Sequence, residues 1–145
     1  MIGLIQRAKR GAVMIDGRTV ASIETGLVVL VGVEKGDDER KADRLLERLL
    51  GYRVFPDEQG RMNLSLSDIE GGLLLVPQFT LAADTRKGMR PGFSSAADPQ
   101  LGKALFNHLT EQAMERYPRV ASGQFGADMQ VELINDGPVT FWLEC

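Results

Sequence analysis

The chain has few of the side chains that most hydrolytic and metal sites rely on. Its 145 residues include one histidine, His108, and one cysteine, Cys145. A zinc site built from a His and Cys cluster cannot be assembled from these. A Ser-His-Asp or Cys-His arrangement would have to recruit His108. That residue sits in a helical pattern over 101–110, with Ala104, Leu105 and Gln112 at helical spacing, and reads as a helix-surface histidine. One cysteine excludes a disulfide within the chain and fits a reducing, cytoplasmic setting. No apolar run approaches the roughly 18 residues of a membrane-spanning helix. The opening residues Met1–Arg7 lack the basic start, long apolar core and small-residue cleavage site of a signal peptide. A surplus of positive charge is also missing: 17 basic against 20 acidic residues gives 17 − 20 = −3. Each phosphate contact needs its own Lys or Arg, so a domain that grips a long stretch of nucleic acid is disfavoured, whereas reading a short end is not. An enzyme of this composition must work with hydroxyls, backbone N–H donors or groups of its substrate.

What is present is a globular pattern, with 43% apolar and 26% charged residues in a length suited to one domain spanning 1–145. Residues 1–7 read as a strand. Ala12–Ile15 and Arg18–Ile23 read as a hairpin around Asp16-Gly17, the pair that supplies two positive φ angles. Gly26–Val33 is a continuous apolar run and predicts a buried strand. Ala42, Leu45, Leu46, Leu49 and Leu50 form one helical stripe, with Asp37 or Asp38 to cap its start and Gly51 just past its end. Tyr52–Phe55 and Leu73–Leu81 read as strands, the second interrupted by Pro77, which belongs at an edge, a bulge or a strand end. Residues 82–97 read as a long loop. A second helix over about 98–117 carries Leu101, Leu105, Leu109 and Ala113 on one stripe and stops at Pro118. Met129–Ile134 and Val139–Leu143 read as two closing strands with Asn135-Asp136-Gly137-Pro138 turning between them. The class is mixed α/β, strand-rich, with two main helices.

Two segments attract attention as chemistry. Gln78, Phe79 and Thr80 lie at the end of an apolar strand beside the long loop; Thr80 offers a hydroxyl and the N–H groups around Phe79 could face an oxyanion. An edge strand with Gln and Thr on its solvent face accounts for the same residues. Gly137 and Pro138 are ordinary turn residues, or else a rigid main-chain wall that cannot swing aside as a side chain does. Gly123-Gln124-Phe125-Gly126-Ala127-Asp128-Met129 can form a pocket that stacks a base, or a turn with a core Phe. Arg7, Lys9 and Arg10 form one small basic cluster, and Arg86, Lys87 and Arg90 another.

Along nearly its whole length the chain resembles the D-aminoacyl-tRNA deacylases. The likeness runs through Arg53-Val54-Phe55 with Asp57-Glu58 and Gly60, and through Met62-Asn63-Leu64-Ser65. It continues in Gln78-Phe79-Thr80-Leu81, Ala83-Asp84-Thr85, Lys87-Gly88, Arg90-Pro91 and Phe93. It ends with Gly123, Phe125-Gly126-Ala127, Met129 and Asn135-Asp136-Gly137-Pro138-Val139-Thr140. The resemblance implies a compact three-layer β/β/α domain working as a homodimer without metal or cofactor. It implies hydrolysis of the ester joining a D-amino acid, or glycine, to the 3′-terminal adenosine of tRNA. It assigns Gln78, Phe79 and Thr80 to the catalytic wall and Phe125, Gly126, Ala127 and Met129 to the adenosine pocket. It assigns Gly137 and Pro138, joined by a cis bond, to rejection of L-amino acids inside the partner subunit's pocket, with Arg7 bracing that loop. Pro77 departs from the family, which has Ser there. A non-catalytic dimeric module that binds a nucleotide or an RNA end stays open beside this reading.

Overall fold

The computed structural model describes residues 1–145. Strand β1 (Ile2–Ile15) turns through Asp16 and Gly17, at φ 50° and 73°, into β2 (Arg18–Ile23), as the Asp-Gly pair predicts. Strand β3 (Gly26–Gly32) follows after two residues. Ile15 pairs with Arg18 and Ile2 with Gly32, so β2 and β3 lie end to end along one edge of β1. Residues 1–7 and 12–15 thus belong to one strand, because β3 and then β2 pair along nearly all of it.

Helix α1 (Glu39–Gly51) leads to the short pair β4 (Phe55–Pro56) and β5 (Met62–Leu64). Asp38 caps α1, accepting the Lys41 N–H at 2.9 Å. Asp37 instead is buried, with Oδ1 taking the Met1 amino group at 2.7 Å and Lys41 Nζ at 2.9 Å, and Oδ2 taking the Glu34 N–H at 2.7 Å. Gly51 is the last helical residue rather than the one beyond, and Tyr52 closes the helix. Strand β6 (Gly72–Pro77) runs parallel to β3 and is followed by a 3-10 turn over Phe79–Ala82. Gly26 makes that pairing possible, since a Cβ there would stand 1.9 Å from the Gly72 carbonyl oxygen. Helix α2 (Pro99–Arg116) starts at Asp98, whose carboxylate accepts two N–H groups at 3.0 Å, with Pro99 as its first residue. His108 lies on the α2 surface, 3.0 Å from Asp43 of α1. Strand β7 (Val120–Ser122) adds parallel to β6, and β8 (Gln130–Glu144) returns along the free edge of β1.

Three layers result. Leu27, Val29, Leu73 and Leu75 on one face of β3 and β6 meet Leu45, Leu46 and Leu49 of α1 and Leu105 and Leu109 of α2. On the opposite face Val28, Leu74 and Val76 meet Ala8, Val13 and Ile23, with Leu133 packed against them. The distal halves of β1, β2 and β8 therefore curl over the sheet as a second β layer. Burial on both faces is why the β3 segment reads as an unbroken apolar run.

Further boundaries differ from the sequence reading. The strand expected over Tyr52–Phe55 is confined to Phe55–Pro56, because Tyr52 closes α1. The strand expected over 73–81 ends at Pro77: Gln78 N–H makes the last bond to Val31 O, 2.7 Å, and β3 itself stops at Gly32. The two closing strands are one strand, with no turn at 135–138. Gln6 pairs with Thr140 and Ala8 with Asn135, so the single residue Arg7 faces the four residues 136–139, a wide bulge inside a continuous ladder.

Candidate active site

A cavity of about 490 Å³ opens where β6 ends, α2 begins and the 123–129 segment crosses between them. Pro77 forms part of its wall. Alternate residues of β6 send their N–H toward β7, whose pairing stops at Leu75↔Ser122. The next N–H on that side would be that of residue 77. The Gly123 carbonyl facing it takes the Ser122 hydroxyl instead, at 2.8 Å. Proline therefore costs no ladder bond here, and the strand-end position expected for it is the one it occupies. Gly123 lets the wall close, because a Cβ there would come 2.9 Å from Met129 Sδ and 3.5 Å from Pro77 Cδ.

Gln78 and Phe79 line the mouth. Past the strand end the chain tightens into the 3-10 turn, in which Leu81 N–H is the first to donate inward, to Gln78 O at 3.2 Å. The consecutive amides of Phe79 and Thr80 precede it and have no partner within the turn. Gln78 Nε2 donates to Thr80 Oγ1 at 2.6 Å, which uses the hydroxyl as an acceptor. Neither a carboxylate nor an imidazole hydrogen-bonds Thr80, and His108 is committed to the helix pair. The Phe79 ring is 58% exposed and rests on Phe93 of the 83–98 loop, centroids 5.2 Å apart.

The inner wall comes from the segment that also held the base-stacking reading. Gly126, at φ 79°, turns the chain so that Phe125, Ala127 and Met129 face the cavity. Phe125 leans on α2 at Gly102, where a Cβ would stand 3.2 Å from its ring, and packs 6.5 Å from Phe106. Gln124 N–H points at Met129 Sδ, 3.3 Å. Asp98 and Asp128, not singled out from the sequence, also line the cavity. An Asp directly before Pro99 at a helix start is a signal that could have found Asp98; nothing local to Asp128 marked it. The displaced carboxylates lie elsewhere. Asp57 is held below the usual range by the Arg61 N–H in the β4–β5 turn, and Asp84 is pulled to about 2 by the Arg86 guanidinium. No group of three or more His, Cys, Asp or Glu side chains is placed to hold a metal ion.

The bulge is a separate place. The Gly137–Pro138 peptide is cis, and Gly137 has φ 132°. Arg7 Nε donates to Asp136 O at 3.1 Å while its Nη1 donates to Val54 O at 2.6 Å, tying the bulge to the backbone just ahead of β4. Arg7 and Lys9 each stand 3.4 Å from the Asp136 carboxylate. Asn135 Oδ1 accepts the Val139 N–H at 3.0 Å, and its Nδ2 donates to Thr140 Oγ1 at 2.8 Å. Neither Gly137 nor Pro138 lines the cavity. Met14 pairs with Gln130 at the cavity end of β8, and Arg7 faces the bulge seven residues back along β1. At about 3.3 Å per residue that end of the cavity lies on the order of 20 Å from the bulge measured along the curled strand, while Gln78 at the mouth bonds Val31, opposite Gly3 near the start of β1.

Comparison with known proteins agrees with this architecture. The family model for D-Tyr-tRNA(Tyr) deacylase matches residues 4–144. The D-aminoacyl-tRNA deacylase of Thioalkalivibrio sulfidiphilus is 64% identical over 144 residues, covering 99% of this chain and 97% of that protein. That of Stutzerimonas stutzeri is 62% identical, covering 99% of each. The solved structure of a c-Myc DNA Unwinding Element Binding Protein superposes with a TM-score of 0.95 at 34% identity, covering 100% of this chain and 99% of that one. The match along nearly the whole chain makes this protein a small hydrolase. The chain belongs to the D-aminoacyl-tRNA deacylase family.

Proposed function

We propose that this protein hydrolyses the ester between a D-amino acid, or glycine, and the 3′-terminal adenosine of tRNA, and that it spares the L-form. The adenosine enters the cavity against Phe125, Gly126, Ala127 and Met129, which brings the ester to the mouth at Gln78, Phe79 and Thr80. A water oxygen attacks the ester carbonyl, assisted by the ribose 2′-OH. The bond to the ribose 3′-oxygen breaks, and that oxygen takes up the water's proton. The observation that carries the reading is the pair of unspent consecutive amides, Phe79, which lines the cavity, and Thr80, the next residue, which does not. They suit a developing oxyanion, and losing one such donor costs about 2.7–4 kcal/mol of transition-state stabilisation. Thr80 as a covalent nucleophile is the weaker version, because its hydroxyl has no base beside it.

Rejection of L-amino acids falls to the main chain at Gly137 and Pro138, whose carbonyls leave no room for an L side chain. The separation between bulge and cavity supports delivery into the pocket of a second copy. So does the outer edge of β8, which pairs only with β1 and leaves Ile134, Phe141 and Trp142 exposed at 47%, 37% and 48%. The working form is then a homodimer with a site shared across subunits. We place it in the cytoplasm, where its substrate is made; no helix is long and apolar enough to cross a membrane.

The test is deacylation of one tRNA charged with D-alanine, L-alanine or glycine. Cleavage of the D- and glycyl-forms with the L-form spared is expected. A second reading, a non-catalytic nucleic-acid-end binder, draws on the similarity to a structure described as a DNA-element binding protein. Absence of cleavage of any of the three would favour it.

A further inference from the structure

A second hollow of about 300 Å³ lies behind the first, between α2 and the 122–125 segment. The two hollows share Phe106 and Phe125, so Phe125 borders both. Their linings differ in kind. The first is mostly apolar; the second is lined by Lys103, Asn107, Thr110, Glu111, Ser122 and Gln124 around the two phenylalanines. The Thr110 hydroxyl is spent on Phe106 O and the Ser122 hydroxyl on Gly123 O. The side-chain amides of Asn107 and Gln124 and the Lys103 ammonium are left without a partner in the chain. The carboxylate in the lining, Glu111, is eight residues further along α2, about 12 Å by helical rise, so it does not neutralise the Lys103 end.

We infer that this hollow receives the penultimate nucleotide of the tRNA 3′ end. The inference rests on the adenosine reading of the first cavity. An RNA whose last base sits on one face of Phe125 must lead its next nucleotide away from that cavity. The adjoining hollow, lined by the same Phe125, provides an aromatic surface for stacking, a cation for the linking phosphate and two amides for base edges. In a chain of net charge −3, a cation without a partner beside the substrate cavity is well placed to hold a single phosphodiester. Recognition of two nucleotides rather than one also separates a tRNA end from free adenosine compounds.

The test compares three probes by calorimetry at low salt. They are a non-hydrolysable 3′-D-alanylamido adenosine, the same compound extended at its 5′ side by a cytidylyl residue, and cytidine monophosphate alone. The expected result is that the dinucleotide binds the wild-type protein about tenfold more tightly than the nucleoside. The double variant Lys103→Gln, Gln124→Ala should lose that gain and keep the nucleoside affinity within about twofold. Both positions are exposed, and an unchanged melting temperature confirms an intact fold. A dinucleotide no tighter than the nucleoside, or a gain that survives the double variant, overturns the inference and leaves the deacylase reading standing. Binding of cytidine monophosphate that the variant abolishes, without a dinucleotide gain, makes the hollow a separate nucleotide site and overturns it too. Failure of the nucleoside to bind at all removes the cavity reading, and the inference with it.

Discussion

The cavity mouth at residues 78–80 and the bulge at residues 135–140 are both made largely of main chain, and they treat their polar groups in opposite ways. At the mouth, elements end: β6 stops, a 3-10 turn begins, and two amides are left over. At the bulge, the longest strand pair continues on both sides and the surplus polar groups are tied down. Arg7 spends its guanidinium on two carbonyls, and Asn135 clasps Val139 and Thr140. Unspent donors suit a charge that exists only in the transition state. Spent ones make a wall that cannot yield to a wrong substrate. Under the proposed roles a catalytic surface and a steric filter ask for contrary chemistry, and this fold builds them at separate places, the end of β6 and the bulge in β8.

Loosening the wall should have the largest effect. Arg7→Ala removes two charge-assisted bonds to carbonyl oxygens, each worth about 1.5–3 kcal/mol. The expected outcome is a lower melting temperature and a preference for D- over L-aminoacyl-tRNA reduced by about tenfold or more, read from paired deacylation rates. An unchanged preference would free the bulge from any role in handedness. Next comes the cavity. Phe125→Ala takes away the stacking face, worth about 1–3 kcal/mol per base, so KM should rise roughly 5- to 100-fold with kcat far less affected. A selective fall in kcat would place Phe125 at the reacting atoms instead.

At the mouth itself Thr80→Ala should keep deacylation within about tenfold of wild type, since removing a hydroxyl leaves both amides in place. Complete loss of turnover with substrate still bound would establish the nucleophile version. The smallest effect concerns the 83–98 loop, which Asp84 and Gly92 close through a reciprocal pair of backbone bonds at 2.7 and 2.9 Å. The Asp84 carboxyl titrates near 2 in the folded chain against 3.8 for an ordinary one, held down by Arg86. A lowered carboxyl favours the folded loop above about 3.8, and that contribution disappears as pH falls through about 2. Protection of the Gly92 amide should therefore be flat from neutral pH to 4 and weaken below. Weakening already between pH 6 and 5 would rule out this clasp.

Much of the scaffold was legible because its signals are local. Asp16-Gly17 specified the hairpin, the apolar run at 26–33 the two-sided strand, and the leucine stripes, with Asp37 or Asp38 ahead of the first and Pro118 after the second, the two helices. The misread places are those where a distant partner decides. Asn135-Asp136-Gly137-Pro138 has every mark of a turn, yet β1 carries on past it and holds both flanks in one ladder. Phe79 and Thr80 favour a strand by propensity, but the β3 edge they would need has ended. Strand β7, three residues between Pro118 and Gly123, is too short to show a period. The cavity was legible only in pieces. Residues 78–80 and 125–129 come together through the parallel β6–β7 pairing, which no spacing in the sequence announces. What linked the pieces beforehand was the resemblance to a family, carried by the order of several short motifs.

The division of labour between one protomer's cavity and the other's bulge is tested most directly by a crystal structure of the dimer holding a non-hydrolysable D-aminoacyl adenosine. The account predicts the adenine against Phe125, the scissile carbonyl oxygen within hydrogen-bond reach of the Phe79 or Thr80 amide, and the partner's Gly137 and Pro138 carbonyls packed against the α-carbon on the side an L side chain would occupy. An amino acid enclosed by residues of a single protomer, with both bulges facing solvent, would contradict it.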